Sequence, residues 1–390
     1  MRILQVTNFF KPSWEAGGPP RVVFEISRRL AIMGHDVTVF TTDGFKERQD
    51  VISNKPVEVD GIRTFYFKNL SSRLAGKVSL TPYYAPVAAR RETKYFDVIH
   101  IHELGLLGPI VHHYATKYGI PYMLQTHGGM MGLAEKKSLL GHAYSMFLER
   151  PLVRDATKVF ALTKSEAFQC IQAKIPERKI EIVPNGIDML EYQNLPRKGK
   201  FRERFGFSED EKVILYLGRL HETKRIDFLV DAFSELKYPF GKTRLAIVGP
   251  DDGFLSTLIE KVSALELEDR VVFTGPLYGG DKIEAYLDSD VCVLPSKNEA
   301  FPITVLEAWA CGTPVIVHEG CGIADFVREA GYVVGYDRTQ LQNTITTILS
   351  GGAIRETLAG QARKIVEKEF NWSRIVDRIE RIYEDARRKT

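Results

Sequence analysis

Short apolar runs rich in β-branched residues alternate with amphipathic stretches along the whole chain, and this alternation limits the folds open to it. In the first half the runs Arg2–Thr7, Asp36–Thr41, Asp97–Ile101, Tyr122–Thr126, Lys158–Leu162 and Glu181–Val183 read as strands. Helical patterns fall between them, notably Pro20–Met33 and Pro109–Tyr118, and Val57–Phe67 reads as an irregular hairpin or an extra strand. Near-continuous apolar strands joined by helices imply a parallel sheet covered on both faces. A second series follows Pro184, with strands at Lys212–Leu217, Arg244–Val248, Val271–Thr274, Val291–Leu294, Pro314–Val317 and Tyr332–Val334. The stretch from Leu190 to about Lys200, with Pro196, Gly199 and several Lys and Arg, reads as the linker. The chain therefore divides into a first parallel-sheet domain at 1–190 and a second at 191–370, facing each other across a cleft. A final helix, Trp372 to about Arg388, carries the stripe Ile375, Val376, Ile379, Ile382 and Tyr383 and is expected to return to the first domain.

Composition supports two soluble domains. The 390 residues are 44% hydrophobic and 26% charged, which is ample for two cores. Cys170, Cys292, Cys311 and Cys321 form no metal-ligand spacing and read as buried free thiols in a reducing cytoplasm. Met1 leads straight into the strand at Arg2, not into a leader, and no apolar run has the length of a membrane span. Residues 1–190 carry 25 Lys and Arg against 18 Asp and Glu, whereas residues 191–370 carry 22 against 28. A basic first half suits an anionic acceptor or an anionic membrane surface, and it equally describes an ordinary solvated surface.

In open α/β sheets ligands sit beyond the carboxyl ends of the strands, so the loops there carry the functional reading. After the first strand, Gly17-Gly18 precedes Pro19-Pro20 at a helix start, a tight loop whose backbone can approach a phosphate or a sugar. His127, followed by Gly128-Gly129, ends the strand at Tyr122; its neutral ring can donate or accept a hydrogen bond. His102 is a weaker candidate, and His100, His102 and His127, without matching carboxylate partners, make a poor zinc site. In the second series Gly218 ends a strand and introduces Arg219 and Lys224, a bidentate phosphate grip and a point charge. Gly249-Pro250-Asp251 makes another tight turn. The turn Gly275-Pro276-Leu277-Tyr278 can offer backbone to a base edge with an apolar side chain beneath the ring.

The last of these loops runs Pro295-Ser296-Lys297-Asn298-Glu299-Ala300-Phe301-Pro302-Ile303 and enters a helix containing Glu307. Pro302 disfavours helix at Phe301 and suits the first helical turn. Glu299 then lies in the loop and Glu307 about one turn inside the helix, flanking an N-terminus whose free N–H groups and dipole suit a diphosphate. No GxGxxG occurs, which argues against a nicotinamide dehydrogenase, and no DxD-type carboxylate cluster is present.

In this order and spacing, Gly218-Arg219 with Lys224, Asn185-Gly186-Ile187-Asp188, Pro295-Ser296 with the Glu299/Glu307 pair, and Ala308 through Gly312-Thr313-Pro314 resemble the family 4 glycosyltransferases over essentially the whole chain. That resemblance implies the GT-B architecture, an α/β fold of two Rossmann-like domains with a C-terminal helix crossing back, and retaining transfer from a nucleotide-sugar donor. It implies that Arg219 and Lys224 hold the diphosphate, Glu307 the ribose hydroxyls and Glu299 the transferred sugar. It places the backbone of Ala300, Phe301, Pro302 and Ile303 around sugar and phosphates, Gly17 and Gly18 over the diphosphate, and His127 near the reacting sugar. Asp251 departs from the Gly-Pro-Gly turn of many relatives. No acidic residue beside His127 presents itself as a nucleophile, so same-face attack with a leaving phosphate that takes the acceptor's proton is favoured, without metal or other cofactor. The expected partners are the nucleotide sugar and a sugar, lipid-linked or other hydroxyl acceptor, not nucleic acid, in the cytoplasm or peripherally at the inner membrane face. The alternatives are a nucleotide-sugar epimerase or hydrolase and a non-catalytic binding protein. Residues 136–154 mix Lys136, Lys137, Arg150 and Arg154 with Leu139, Leu140, Tyr144, Met146, Phe147 and Leu148, and read as a helix packed on its own domain in preference to a membrane-docking one.

Overall fold

The computed structural model describes residues 1–44, 50–70, 82–129, 139–236 and 242–389. Two compact units divide the chain: Met1–Asn185 with Trp372–Thr390, and Gly186–Asn371.

The first unit is built on eight strands: β1 (Arg2–Val6), β2 (Asp36–Thr42), β3 (Pro56–Val59), β4 (Ile62–Phe67), β5 (Val98–His102), β6 (Tyr122–Gln125), β7 (Lys158–Ala161) and β8 (Ile180–Ile182). Their spatial order is β3-β4-β2-β1-β5-β6-β7-β8. Every pairing is parallel except β3 with β4, so the segment at 57–67 is an antiparallel hairpin whose second strand joins the parallel sheet. The central strands are buried throughout, which is why their sequences run apolar without alternation.

The second unit carries β9 (Lys212–Leu217), β10 (Thr243–Val248), β11 (Val271–Gly275), β12 (Val291–Leu294), β13 (Val315–His318) and β14 (Tyr332–Val334). These six run in the order β11-β10-β9-β12-β13-β14, all pairings parallel. The reversal of strand order lies at β9 and β12, so the loops after these two strands open side by side. The segment from Leu190 to Lys200 packs within this unit, where Tyr192 and the following Phe201 are buried.

Both crossings between the units are pinned where they meet. The Ile187 N–H donates to the Phe370 carbonyl at 2.9 Å, inside the second unit. From Trp372 the last helix (Trp372–Arg388) packs on the first unit against the helix Gly18–Ile32 and β5. Ile375, Val376, Ile379 and Tyr383 are buried there, each apolar side chain stabilising the contact by roughly 1.5–3 kcal/mol.

Of the segment at 136–154, residues 136–138 lie outside the described residues. The rest is a helical run with a π turn over Ser145–Glu149. Leu152 and Val153 face the core, while Met146 and Phe147 are 54% and 71% exposed. All four cysteines are buried and free. Among the described residues no helix is long and apolar enough to cross a membrane.

Candidate active site

The Glu299/Glu307 segment lies beyond the end of β12. Pro302 takes β-region angles (φ −78°, ψ 106°) as the N-cap, and the helix runs Ile303–Ala310, one residue later than the sequence reading of Pro302 in the first turn. The ring fixes φ but leaves ψ open, and Pro302 uses that freedom to end the loop. Val305 N–H is taken by the Pro302 carbonyl at 3.2 Å, while the N–H groups of Ile303 and Thr304 have no partner among the described residues. Glu299 is held outside the helix by a one-residue bridge to Cys321, with Gly322 N–H donating to the Glu299 carbonyl at 2.7 Å.

That bridge needs glycine on both sides. A Cβ on Gly320 would lie 2.1 Å from the Lys297 carbonyl oxygen, and one on Gly322 2.0 Å from that of Ala300. The Gly320-Cys321-Gly322 turn thus sets where Glu299 sits. Nothing in the sequence reading flagged it, although two glycines around a buried cysteine just beyond a strand are a visible signal of close backbone approach.

The Glu299 carboxylate accepts from Lys224 Nζ through both oxygens, at 2.6 and 2.8 Å. Both side chains are mostly buried, 17% and 19% exposed, so the pair is only partly screened by water. Arg219 pairs instead with Asp252. Glu307 is 12% exposed and accepts from Lys282 Nζ at 2.6 Å and from the buried Tyr286 hydroxyl at 3.0 Å. Lys282 and Tyr286 escaped the sequence reading. They are four apart on the helix Gly279–Leu287, the spacing that puts two side chains on one face.

The three neighbouring loops interlock. Gly249 N–H donates to the Gly275 carbonyl at 3.0 Å, Leu220 N–H to the Pro250 carbonyl at 2.9 Å, and a Cβ on Gly249 would sit 1.8 Å from the Gly218 carbonyl oxygen. Asp251 Oδ1 accepts from the N–H groups of Gly253, Phe254 and Leu255 at 2.9–3.1 Å, which holds its carboxyl below the usual carboxylate range. The Asp251 carboxylate therefore holds the turn that leads into the helix Leu255–Ala264 and reaches the first N–H of that helix, whose N-cap is Phe254. Leu277 is only 7% exposed and belongs to the unit's core; the turn shows solvent Tyr278, 64% exposed, and its backbone. The Ser296 hydroxyl is buried without a partner among the described residues.

In the first unit Gly17 takes φ 103° as N-cap of the helix Gly18–Ile32, a conformation that favours glycine, and the following prolines fit the first turn. His127 takes φ 49° at the end of β6. Its ring meets that of His102 at 3.1 Å, and burial pulls its pKa down to about 4, so it is neutral at pH 7. The buried Glu166 holds both neighbours of His127: Oε1 accepts from the Thr126 hydroxyl and from Gly128 N–H at 2.8 Å each.

The fold brings to the neighbouring strand end a carboxylate that the sequence reading did not place near His127. Glu103 follows β5, which pairs with β6, and it too is left-handed, at φ 70°. It accepts from Asn8 N–H at 3.3 Å, and burial pushes its carboxyl up to about 7. Strand ends 24 residues apart in sequence became neighbours through strand order, which local pattern does not encode. Among the described residues no group of three His, Cys, Asp or Glu gathers in a way that could hold a metal ion.

Residues 16–189 match the Glycosyltransferase Family 4 description and residues 197–365 match Glycosyl transferases group 1. The chain is 28% identical over 400 residues to the D-inositol 3-phosphate glycosyltransferase of Salinispora arenicola, covering 95% of this chain and 88% of that one. Its fold is similar to that of sucrose-phosphate synthase from Thermosynechococcus elongatus, with a TM-score of 0.79 at 22% identity and all of both chains covered. It is also similar to HepE of Anabaena in complex with UDP-glucose, with a TM-score of 0.77 at 20% identity, covering 99% of this chain and 100% of that one. With two parallel-sheet units of the GT-B kind and matches across both, the chain belongs to the family 4 glycosyltransferases.

Proposed function

We propose that this glycosyltransferase moves a sugar, with retention of configuration and without metal, from a nucleoside diphosphate sugar to a hydroxyl acceptor in polysaccharide, glycolipid or glycoconjugate biosynthesis. The observation that carries the reading is the Lys224–Glu299 pair before a helix whose first N–H groups are open, with Glu307 one turn inside. A cation, open helix N–H groups and two carboxylates are what a diphosphate between two hydroxylated rings requires. The UDP-glucose complex of the structurally similar HepE supports a donor of this class.

In this reading Arg219 and Lys224 bind the diphosphate, Gly218 lets the loop approach it, and Gly17 and Gly18 do the same in the first unit. Glu307 binds the ribose and Glu299 the transferred sugar. Ala300, Phe301, Pro302 and Ile303 supply backbone, the turn at Leu277 faces the base, and His127 hydrogen-bonds the sugar. The bond between the anomeric carbon and the phosphate oxygen breaks as the acceptor oxygen bonds the same face, and the acceptor's proton passes to the leaving phosphate. Arg219 and Lys224 stabilise the charge that develops there.

Turnover of UDP-, GDP- and ADP-sugars with and without candidate acceptors tests the proposal. Acceptor-dependent nucleotide release with retained anomeric configuration is expected. Release that ignores every acceptor would favour the hydrolase or epimerase alternative, and inverted product would rule out the same-face step. Activity is expected to survive EDTA; loss restored by Mg²⁺ or Mn²⁺ would show that the Arg219 and Lys224 charges do not suffice.

A further inference from the structure

Three hydrogen bonds join His127 to the last helix through the interior of the first unit, and a fourth continues from that helix to His100. His127 Nε2 lies 3.1 Å from His102 Nδ1, and His102 Nε2 lies 2.8 Å from Gln5 Oε1. Gln5 Nε2 donates to the Tyr383 hydroxyl at 3.3 Å, and that hydroxyl lies 2.6 Å from His100 Nδ1. Gln5, His100, His102 and Tyr383 are all buried, with no exposure above 2%. A buried polar chain of this length is costly unless every bond is made in a consistent direction.

We propose that His102 is a positioning residue for His127, and that Gln5 and Tyr383, acting through His102, hold the His127 proton on Nε2 and leave Nδ1 as the ring's acceptor for a sugar hydroxyl.

The direction follows from the donors available. The Gln5 carbonyl oxygen only accepts, so His102 Nε2 carries the proton in that bond. Burial keeps the His102 pKa well below its ordinary value, so the ring is neutral and its Nδ1 is a lone pair. His127 Nε2 then supplies the proton between the two rings. At the far end the Tyr383 hydroxyl accepts from Gln5 and gives its own proton to His100. The amide of Gln5 is the element that sets the direction: turned over, it would reverse all four bonds and move the His127 proton to Nδ1. Glu166, accepting from Thr126, Gly128 and also Leu162 N–H at 2.7 Å, keeps the backbone from rotating the ring out of register. Tyr383 is thus a means by which a helix remote in sequence determines what His127 offers.

The inference rests on the proposed placement of His127 at the sugar, and its test is independent of that placement. Long-range ¹H–¹⁵N correlation spectra of the uniformly ¹⁵N-labelled full chain at pH 7.5, with His127 assigned from His127→Gln, should show neutral Nε2–H rings at His127 and His102. A neutral Nδ1–H ring at His127, or an average of both forms, overturns the proposal and needs no variant to fold. In Tyr383→Phe the His127 signal should shift toward mixed tautomers, and kcat should fall up to about tenfold with the donor KM unchanged. An unchanged tautomer in folded Tyr383→Phe also overturns it. Wild-type kcat in His127→Ala, with the Nε2–H form seen in the parent, would instead overturn only the placement of His127 at the sugar.

Discussion

Individual side chains carry the sharpest expectations. Arg219→Ala and Lys224→Ala should each cost on the order of 10²-fold in turnover, because both are proposed to face charge that develops at the leaving phosphate. Near-parent turnover in a folded double variant would sink that assignment. The two glutamates should part company. Glu307→Gln loses a carboxylate that already accepts from Lys282 and Tyr286, and it should weaken both nucleotide sugar and free nucleoside diphosphate by about 10- to 100-fold. Glu299→Gln loosens Lys224 without removing it, so diphosphate affinity should be kept or slightly raised while turnover falls. Calorimetry with the free diphosphate separates them; equal losses in the two variants would contradict the division of labour.

The buried histidines and Glu103 titrate against each other. Burial lowers His100, His102 and His127, so near pH 6.5 the unfolded chain takes up protons that the folded chain refuses, down to about 4 for His127. Their stabilisation is present above pH 6.5 and is lost as pH falls. Glu103 has the opposite sign: raised from 4.5 to about 7, it stays protonated in the fold where the unfolded chain has released its proton, so its contribution is lost as pH rises through that window. Between pH 4.5 and 6.5 it therefore offsets one of the three histidines. Glu103→Gln removes the offset and should steepen the acid loss by up to about 1.4 kcal/mol per pH unit. Urea unfolding at pH 5.0 and 6.5 measures it; an unchanged slope would mean that Glu103 is ionised throughout.

At the scale of elements, glycines decide how closely the loops of the second unit pack. Gly322→Ala would drive a methyl into the Ala300 carbonyl, and the backbone must move because no flexible side chain stands in the way. A loss of about 1–3 kcal/mol is expected, together with weaker donor binding as Glu299 shifts. Gly360→Ala makes the contrast. That glycine lies inside the helix Gly352–Glu369 with open space around its missing Cβ, so the substitution should stabilise by about 0.4–1 kcal/mol and leave donor binding alone. Denaturant melts and a diphosphate titration on both variants check the pair. Comparable losses in the two would show that close approach at the Gly320-Cys321-Gly322 turn is not what holds the Glu299 loop.

For the whole molecule, the sequence by itself determined the class of fold. Buried parallel strands must be apolar on both faces, and the helices that cover them must be amphipathic, so twelve of the fourteen strands among the described residues could be placed to within one or two residues. The remaining ambiguity, at 57–67, arose because an edge hairpin is only half buried and its pattern is mixed. The placement of Arg219, Lys224 and Glu299 in loops after strands, and of Glu307 in the helix that follows, was legible because strand ends and a helix start are marked by local residues. Only the tertiary structure decided who meets whom. Strand order set Glu103 beside the end of β6; helix packing carried Tyr383 to Gln5; the Gly320-Cys321-Gly322 turn fixed Glu299; and Lys282 reached Glu307 from the preceding helix. Each is a contact between segments far apart in the chain, set by how whole elements pack, and no window of neighbouring residues contains it.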